Sequence, residues 1–336
     1  MKNFITIVFA VIFASNLVIS QGLSGFYRQY LPINTHAQLS SLSSGTELET
    51  ILFDARPIAR YHVYNDMSKK NLRVESVGRA FYVSFRPHLR MYNSQSNPVR
   101  TPSYKIALGS QWSKLFHKSN TRAQQLAISL ESGHYSNGQP NCFLSDQILD
   151  GTPACDSLYQ TIANGEDIAS LVNRSSGNFS TNWTELILQY KWVKADPENY
   201  AENMSHSLRL GYTHYHDRFI IFGKFGGYSE NDIKLYGSHF FHGFYEYNSY
   251  FMFNDKPVDF LASQSFDLLT NADPRIPKLR AVTKVVLFPF GSDLGVFAAV
   301  INGRDNYNIR FVDDVTQFQI GLTWTGKMKL SLDLDN

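Results

Sequence analysis

From Ala80 to Met91 the apolar Phe81, Val83 and Phe85 alternate with Tyr82, Ser84 and Arg86, and the polar set runs on through His88 and Arg90. A period of two sends successive side chains to opposite faces, so this segment predicts a strand with one greasy and one polar face. Leu208, Leu210 and Tyr212 interleave in the same way with Ser207, Arg209, Gly211 and Thr213. Near the end of the chain, Phe318, Ile320, Leu322 and Trp324 interleave with Gln317, Gln319, Gly321 and Thr323, and Met328, Leu330 and Leu332 with Lys329, Ser331 and Asp333. Segments near 59–65, 103–117, 121–136, 180–193, 217–227, 234–252, 257–268, 277–290 and 292–302 bring the total to about twelve or thirteen strands. No helical period competes over a comparable length. Residues 21–55 lack the alternation and are expected to be irregular, with one barrel domain over 56–336.

Long strands ending in Tyr, Trp or Phe fit a bilayer-crossing barrel with aromatic girdles better than a secreted sandwich. The fold class expected is all-β, a transmembrane antiparallel β-barrel of about twelve strands in a bacterial outer membrane. The N-terminus agrees: Met1-Lys2-Asn3, an apolar run from Phe4 to Ala14 and small residues near Ser20 read as a cleaved signal over residues 1–20, too short for a spanning helix. Aromatics make up 14% of the chain while the mean hydropathy is negative, as alternation requires. A net charge of +2 leaves no nucleic-acid footprint. Arg86, Arg90, Arg209 and Lys284 alternate with apolar residues and are expected in the lumen. Cys142 and Cys155 share one Gly/Ser/Asn/Asp-rich stretch, which in an exported protein predicts a disulfide in a surface loop. That long connection, 139–179, is expected to be extracellular.

The chemistry concentrates just before it. His134 and Ser136 are two apart on the face that carries Leu126, Ile128 and Leu130, and so look toward lipid at the rim. Asn182 shares a parity with Thr184, Leu186, Leu188, Tyr190 and Trp192. If the two strands pair as a hairpin, His134 and Asn182 reach the same end and face. A serine hydroxyl is a poor nucleophile until an imidazole takes its proton, and the imidazole needs a third group to fix its tautomer. Asn182 has the carbonyl oxygen for that task. An oxyanion hole is also required, and the backbone N–H of Gly138 is the candidate.

His134-Tyr135-Ser136-Asn137-Gly138 resembles the His-x-Ser-Asn-Gly signature of the outer-membrane phospholipase A family. The resemblance implies a twelve-stranded barrel that hydrolyses phospholipid acyl esters (A1/A2 type) at the outer leaflet, with calcium and as a homodimer. It implies Ser136 as nucleophile, His134 as base and Gly138 as the oxyanion amide. Ser96-Asn97-Pro98-Val99-Arg100 resembles the family's Ser-Ser-Pro-x-Arg loop, which makes Ser96 a calcium ligand, and Val296 to Trp324, with Gly303 in the turn region, resembles its last hairpin. Gln139 stands where the family often has Arg and offers calcium its backbone carbonyl. The chain departs from the family in three places. An insertion separates Ser136 from the orienting Asn, taken as Asn182 with Asn178 as the alternative. The second serine ligand is reduced to Ser145 or Ser180. The Gln that helps join the family's dimer falls near Ser84, a weaker hydrogen-bonding group.

Other patterns carry less. His214 and His216 share a strand face, and His239 and His242 lie nearby, but no third ligand pattern makes zinc the better reading. Four Asn-x-Ser/Thr triplets mean little in a bacterial envelope. The rival from another class is a non-enzymatic barrel, a pore or structural protein with a degenerate motif.

Overall fold

The computed structural model describes residues 31–324 apart from 35, 46–49, 68–76, 94–98, 120, 163–164, 196–201 and 220–222. The signal segment, Ser96 and the strand expected around Met328–Leu332 lie outside the described residues. The strands are β1 (Ala37–Gly45), β2 (Ile51–Arg56), β3 (Ala59–Asn65), β4 (Val77–Tyr92), β5 (Val99–Ser119), β6 (Arg122–Ser136), β7 (Ser180–Ala195), β8 (Glu202–His216), β9 (Arg218–Phe219), β10 (Gly223–Lys224), β11 (His239–Phe253), β12 (Lys256–Thr270), β13 (Leu279–Pro289), β14 (Leu294–Arg304) and β15 (Asp314–Trp324). Short helices α1 (Pro153–Thr161), α2 (Ile168–Leu171) and α3 (Glu230–Tyr236) sit in the loops.

Every ladder is antiparallel, and the sheet runs β2-β1-β15-β14-β13-β12-β11-β8-β7-β6-β5-β4-β3, with β2 also paired to β4. Because β2 and β3 lie end to end along β4, broken at Pro57, the thirteen segments close as twelve staves. Closure leaves the twelve staves no free edge in the bilayer, where an unpaired backbone group has no water to meet.

Alternation sorts the side chains. Ile106, Leu108, Ile128, Leu130, Leu186, Leu188, Leu208 and Leu210 are exposed on the outside, whereas Gln111, Gln125, Ser129, Glu131, Gln189 and Gln317 are buried within. This inversion of a soluble protein's pattern makes the outer surface lipid-facing. One end carries tight turns: Asn254 and Asp255, both at positive φ (48° and 57°), join β11 to β12 in two residues. The other end carries the long connections 137–179, 217–238, 271–278 and 305–313.

Inside that end the loops form an aromatic plug. Phe179 packs edge-on against Tyr135, Tyr228, Tyr236 and Phe311. The segment after Leu31 crosses the lumen: Ile33 N–H donates to Gln111, and Gln189 and Arg209 donate to the carbonyls of Pro32 and Asn34. Arg90, 1% exposed, ties Asp54 to Asp305.

Several expectations need correction. Residues 21–55 are not wholly irregular, since β1 and β2 fall there; β1 reads Ala-Gln-Leu-Ser-Ser-Leu-Ser-Ser-Gly, whose serines hide the alternation. Among the described residues the strand expected over 217–227 is only the pair of two-residue strands β9 and β10, with Gly223 and Gly226 at positive φ. The strand expected from 234 begins at His239, after α3, where Ser229 and Asp232 form a capping box. Ser84 is fully buried on the lumen side, with Tyr82 and Arg86, so it cannot join two barrels.

Candidate active site at the outer rim

Tyr135 and Trp183 are each 2% exposed, locked among inward aromatics. The two-residue period then turns His134, Ser136 and Asn182 outward. In the β6–β7 ladder His134 is opposite Asn182 and Ser136 opposite Ser180. The expected hairpin register is therefore present, and the two side chains meet: His134 Nδ1 is 3.0 Å from Asn182 Oδ1.

Asn182 is fully buried although its strand face looks outward, because residues 225–226 cover it. Its Nδ2 donates to the Phe225 carbonyl (2.5 Å), and Ser180 Oγ donates to the Gly226 carbonyl (2.5 Å). A carbonyl only accepts, so the Asn182 amide must turn its NH2 to Phe225 and its oxygen to His134. His134 Nδ1 must then carry the proton and donate it to that oxygen, which leaves Nε2 as the basic nitrogen. The Phe225 ring tilts over the imidazole with centroids 5.7 Å apart and is itself 63% exposed. Gly226 adopts φ 52°, and a Cβ there would stand 2.8 Å from His134 Cε1. Glycine is needed twice over, for the backbone and for the imidazole beneath it.

A second polar layer lies one step along the same face. Thr184 Oγ1 bonds Ser132 Oγ (2.9 Å) and His216 Nε2 (3.0 Å), while His216 Nδ1 accepts from the Arg218 N–H. His214, His216 and His239 stand together on the outer face, the His214 ring 5.5 Å from His216 and stacked 4.7 Å from His239, which is bonded to the Tyr212 hydroxyl (2.6 Å); His242 alone is inward, bonded to Asp267 (2.7 Å). Among the described residues no group of three or more His, Cys, Asp or Glu side chains is placed to hold a metal.

Ser136 is half-buried, and among the described residues no hydrogen bond joins its hydroxyl to His134 in this conformation. Catalytic contacts are often long in an unliganded site. Asn137 is a structural clamp: it accepts from the Phe179 N–H (2.9 Å) and donates to the Gly177 carbonyl (2.8 Å), closing the neck of the long loop. Beyond it Gly138, at φ 67°, is exposed with open space where a Cβ would be. Within the loop Cys142 and Cys155 form the expected disulfide. Asn178 donates to Asp150 (2.6 Å), away from His134, and Ser145 is bound up inside the loop through Gln147 and Asn173.

Calcium takes six to eight oxygens, several from carboxylates. Of its two expected donors, Ser96 lies outside the described residues and Gln139 contributes a neutral carbonyl. Among the described residues no cluster of three or more acids stands beside it. The described residues alone do not make a calcium site, and no step below runs through the ion.

Residues 225–226 were not foreseen. Their only signal was an aromatic before a Gly-Gly pair, inside a stretch that read as a strand.

No protein-family model matches the chain and no curated protein matches it. Among solved structures it is similar to outer membrane phospholipase A from Escherichia coli, with 12% identity and a TM-score of 0.50 over 90% of this chain and 96% of that one. It is also similar to the calcium-bound outer membrane phospholipase dimer of Salmonella typhi, with 11% identity and a TM-score of 0.50 over 88% and 94%. The translocator domain of the autotransporter NalP from Neisseria meningitidis gives 12% identity and a TM-score of 0.36 over 95% and 96%. At these identities the likeness is one of fold: the chain is a closed twelve-stranded antiparallel barrel of the bacterial outer-membrane type.

Proposed function

We propose that this barrel is an outer-membrane ester hydrolase acting on the acyl esters of phospholipids. The observation that carries the reading is the His134–Asn182 hydrogen bond of 3.0 Å on the lipid-facing surface, two residues from a serine on the same face. A soluble substrate would not reach that surface, whereas a lipid already lies against it.

In this reading His134 Nε2 takes the Ser136 proton as Oγ attacks the ester carbonyl, and the imidazolium that forms is held through Nδ1 by Asn182. The Gly138 N–H is the proposed donor to the oxyanion, a donor worth about 2.7–4 kcal/mol in such sites. His134 then returns the proton to the leaving alkoxide, and water releases the acyl group by the same steps. The fold of the phospholipase neighbours supports the reading without supplying the activity. A pore is disfavoured by the residues 31–34 that cross the lumen and by the aromatic plug.

The test is hydrolysis of diacyl phospholipid in mixed micelles by refolded barrel. Wild type is expected to release fatty acid and Ser136→Ala to lose that activity by roughly 10³-fold or more; a Ser136→Ala variant with full activity removes the assignment.

A further inference from the structure

The lumen carries more positive charge than its carboxylates answer. Arg280 is 3% exposed, and its only polar contact among the described residues runs from Nη1 to the Arg304 carbonyl (3.1 Å). Arg304, also 3% exposed, lies over the Phe240 and Phe311 rings at 4.9 and 5.2 Å, with a buried Nε that has no acceptor among the described residues. Lys284 donates to a neutral partner, Gln38 Oε1 (3.1 Å), and sits over Phe297. The nearby acids are already engaged: Asp54 with Arg56, His88 and Arg90, Asp305 with Arg90, and Asp267 with His242. Among the described residues these five cations (Arg56, Arg90, Arg280, Lys284, Arg304) therefore face the three carboxylates of Asp54, Asp267 and Asp305, with Glu246 as a fourth on the Lys284 side, and positive charge remains in excess.

A cavity of about 220 Å³ lies among them, lined by Arg56, Arg280 and Lys284 against the single carboxylate of Asp267. It shares Arg56 and Lys284 with a second cavity of about 340 Å³, whose wall adds Arg86, Lys105 and Arg209 and only Glu246 as an acid. A buried cation without a counter-charge is costly. A guanidinium fork and an ammonium converging on a small space are the groups that bind tetrahedral oxyanions.

We propose that this cavity is a binding site for a small doubly charged oxyanion of the phosphate class, held by Arg280, Lys284 and Arg56. A free ion is the occupant that fits, because the cavity is walled by the staves and leaves no room for the acyl chains of a lipid phosphate. The bound ion ties β13 to β2 across the lumen and supplies a counter-charge to Arg280 and Lys284. This inference is independent of the esterase reading.

The test is direct binding of inorganic phosphate to the folded, detergent-solubilised barrel, by calorimetry and by the rise in Tm with phosphate against chloride at matched ionic strength. Saturable binding is expected, with a Tm rise beyond that in chloride. Lys284→Met, which keeps the contact with Phe297, is expected to weaken affinity roughly tenfold, and Arg280→Gln at least as much. Should Arg280→Gln fail to fold, wild type and Lys284→Met decide the matter. Absence of phosphate binding by wild type, a Tm response no larger than that in chloride, or unchanged affinity in Lys284→Met would each overturn the site.

Discussion

The amide of Asn182 is held from both sides, its oxygen 3.0 Å from His134 Nδ1 and its nitrogen 2.5 Å from the Phe225 carbonyl. A backbone carbonyl in the connection between β10 and α3 thus sets which way a side chain on β7 faces. That side chain in turn sets which nitrogen of an imidazole on β6 carries the proton and which is left to accept one.

Removing the amide tests the first link. Asn182→Ala is expected to leave the barrel folded, since Phe225 O can turn to water at the rim. It is expected to lower kcat by about 10²-fold, because His134 no longer has a fixed tautomer. Fatty-acid release in micelles, alongside the heat-dependent gel shift of the folded barrel, separates the two effects; unchanged kcat would contradict the role.

Gly226→Ala probes the cover. The new Cβ would stand 2.8 Å from His134 Cε1 and 3.2 Å from Ser180 Oγ, at φ 52°. Backbone strain alone amounts to about 1–2 kcal/mol in that region, so local opening of the loop is expected, with displacement of the imidazole. Activity should fall far more than Tm. Gly138→Ala, at φ 67° in open space, carries the backbone strain without the collision, and comparing the two variants isolates the contact with His134.

Asp305 gives a pH prediction away from the site. Burial opposes its ionisation, but the Arg90 guanidinium, bonded at 2.5 and 2.9 Å, with Arg280 and Arg310 behind it, holds the carboxyl down to about 2. A carboxyl depressed on folding contributes stability that is complete above its ordinary value of 3.8 and is lost as pH falls toward about 2. Urea unfolding of wild type should weaken across that window, and Asp305→Asn should flatten the change. At pH 7 the same substitution should cost roughly 1–3 kcal/mol, less than an isolated buried pair because Asp54 still faces Arg90.

The proposed calcium dependence can be bounded from the donors. Among the described residues the expected donor is the neutral Gln139 carbonyl with no acidic cluster, so any activation in EGTA-buffered titrations should have a midpoint of roughly 10⁻⁴ M or weaker. Half-activation below about 10⁻⁶ M would contradict a site of neutral oxygens.

Much of the architecture was legible because a membrane barrel writes its two faces as a period of two. The Leu208-Leu210-Tyr212 and Ser207-Arg209-Thr213 rows needed no structure to be assigned to opposite sides. β1 was hidden because a strand whose small polar residues sit on both faces has no alternation to read. In the site, the parity of His134, Ser136 and Asn182 sufficed to place them on one surface, since the ladder pairs His134 with Asn182 directly. The cover was illegible for a different reason: Phe225 and Gly226 act through backbone carbonyls, which every residue has, and through a contact spanning 43 positions. Ser84 misled because its place near a family position said nothing of its parity, which points it inward.

The most direct measurement is covalent trapping of the nucleophile with a long-chain sulfonyl fluoride or alkylphosphonate in micelles, followed by mass spectrometry of the digested barrel. The account predicts one adduct, on Ser136, abolished by His134→Ala and strongly slowed by Asn182→Ala. A folded wild-type barrel that takes no label, or takes it on another residue, would contradict the claim.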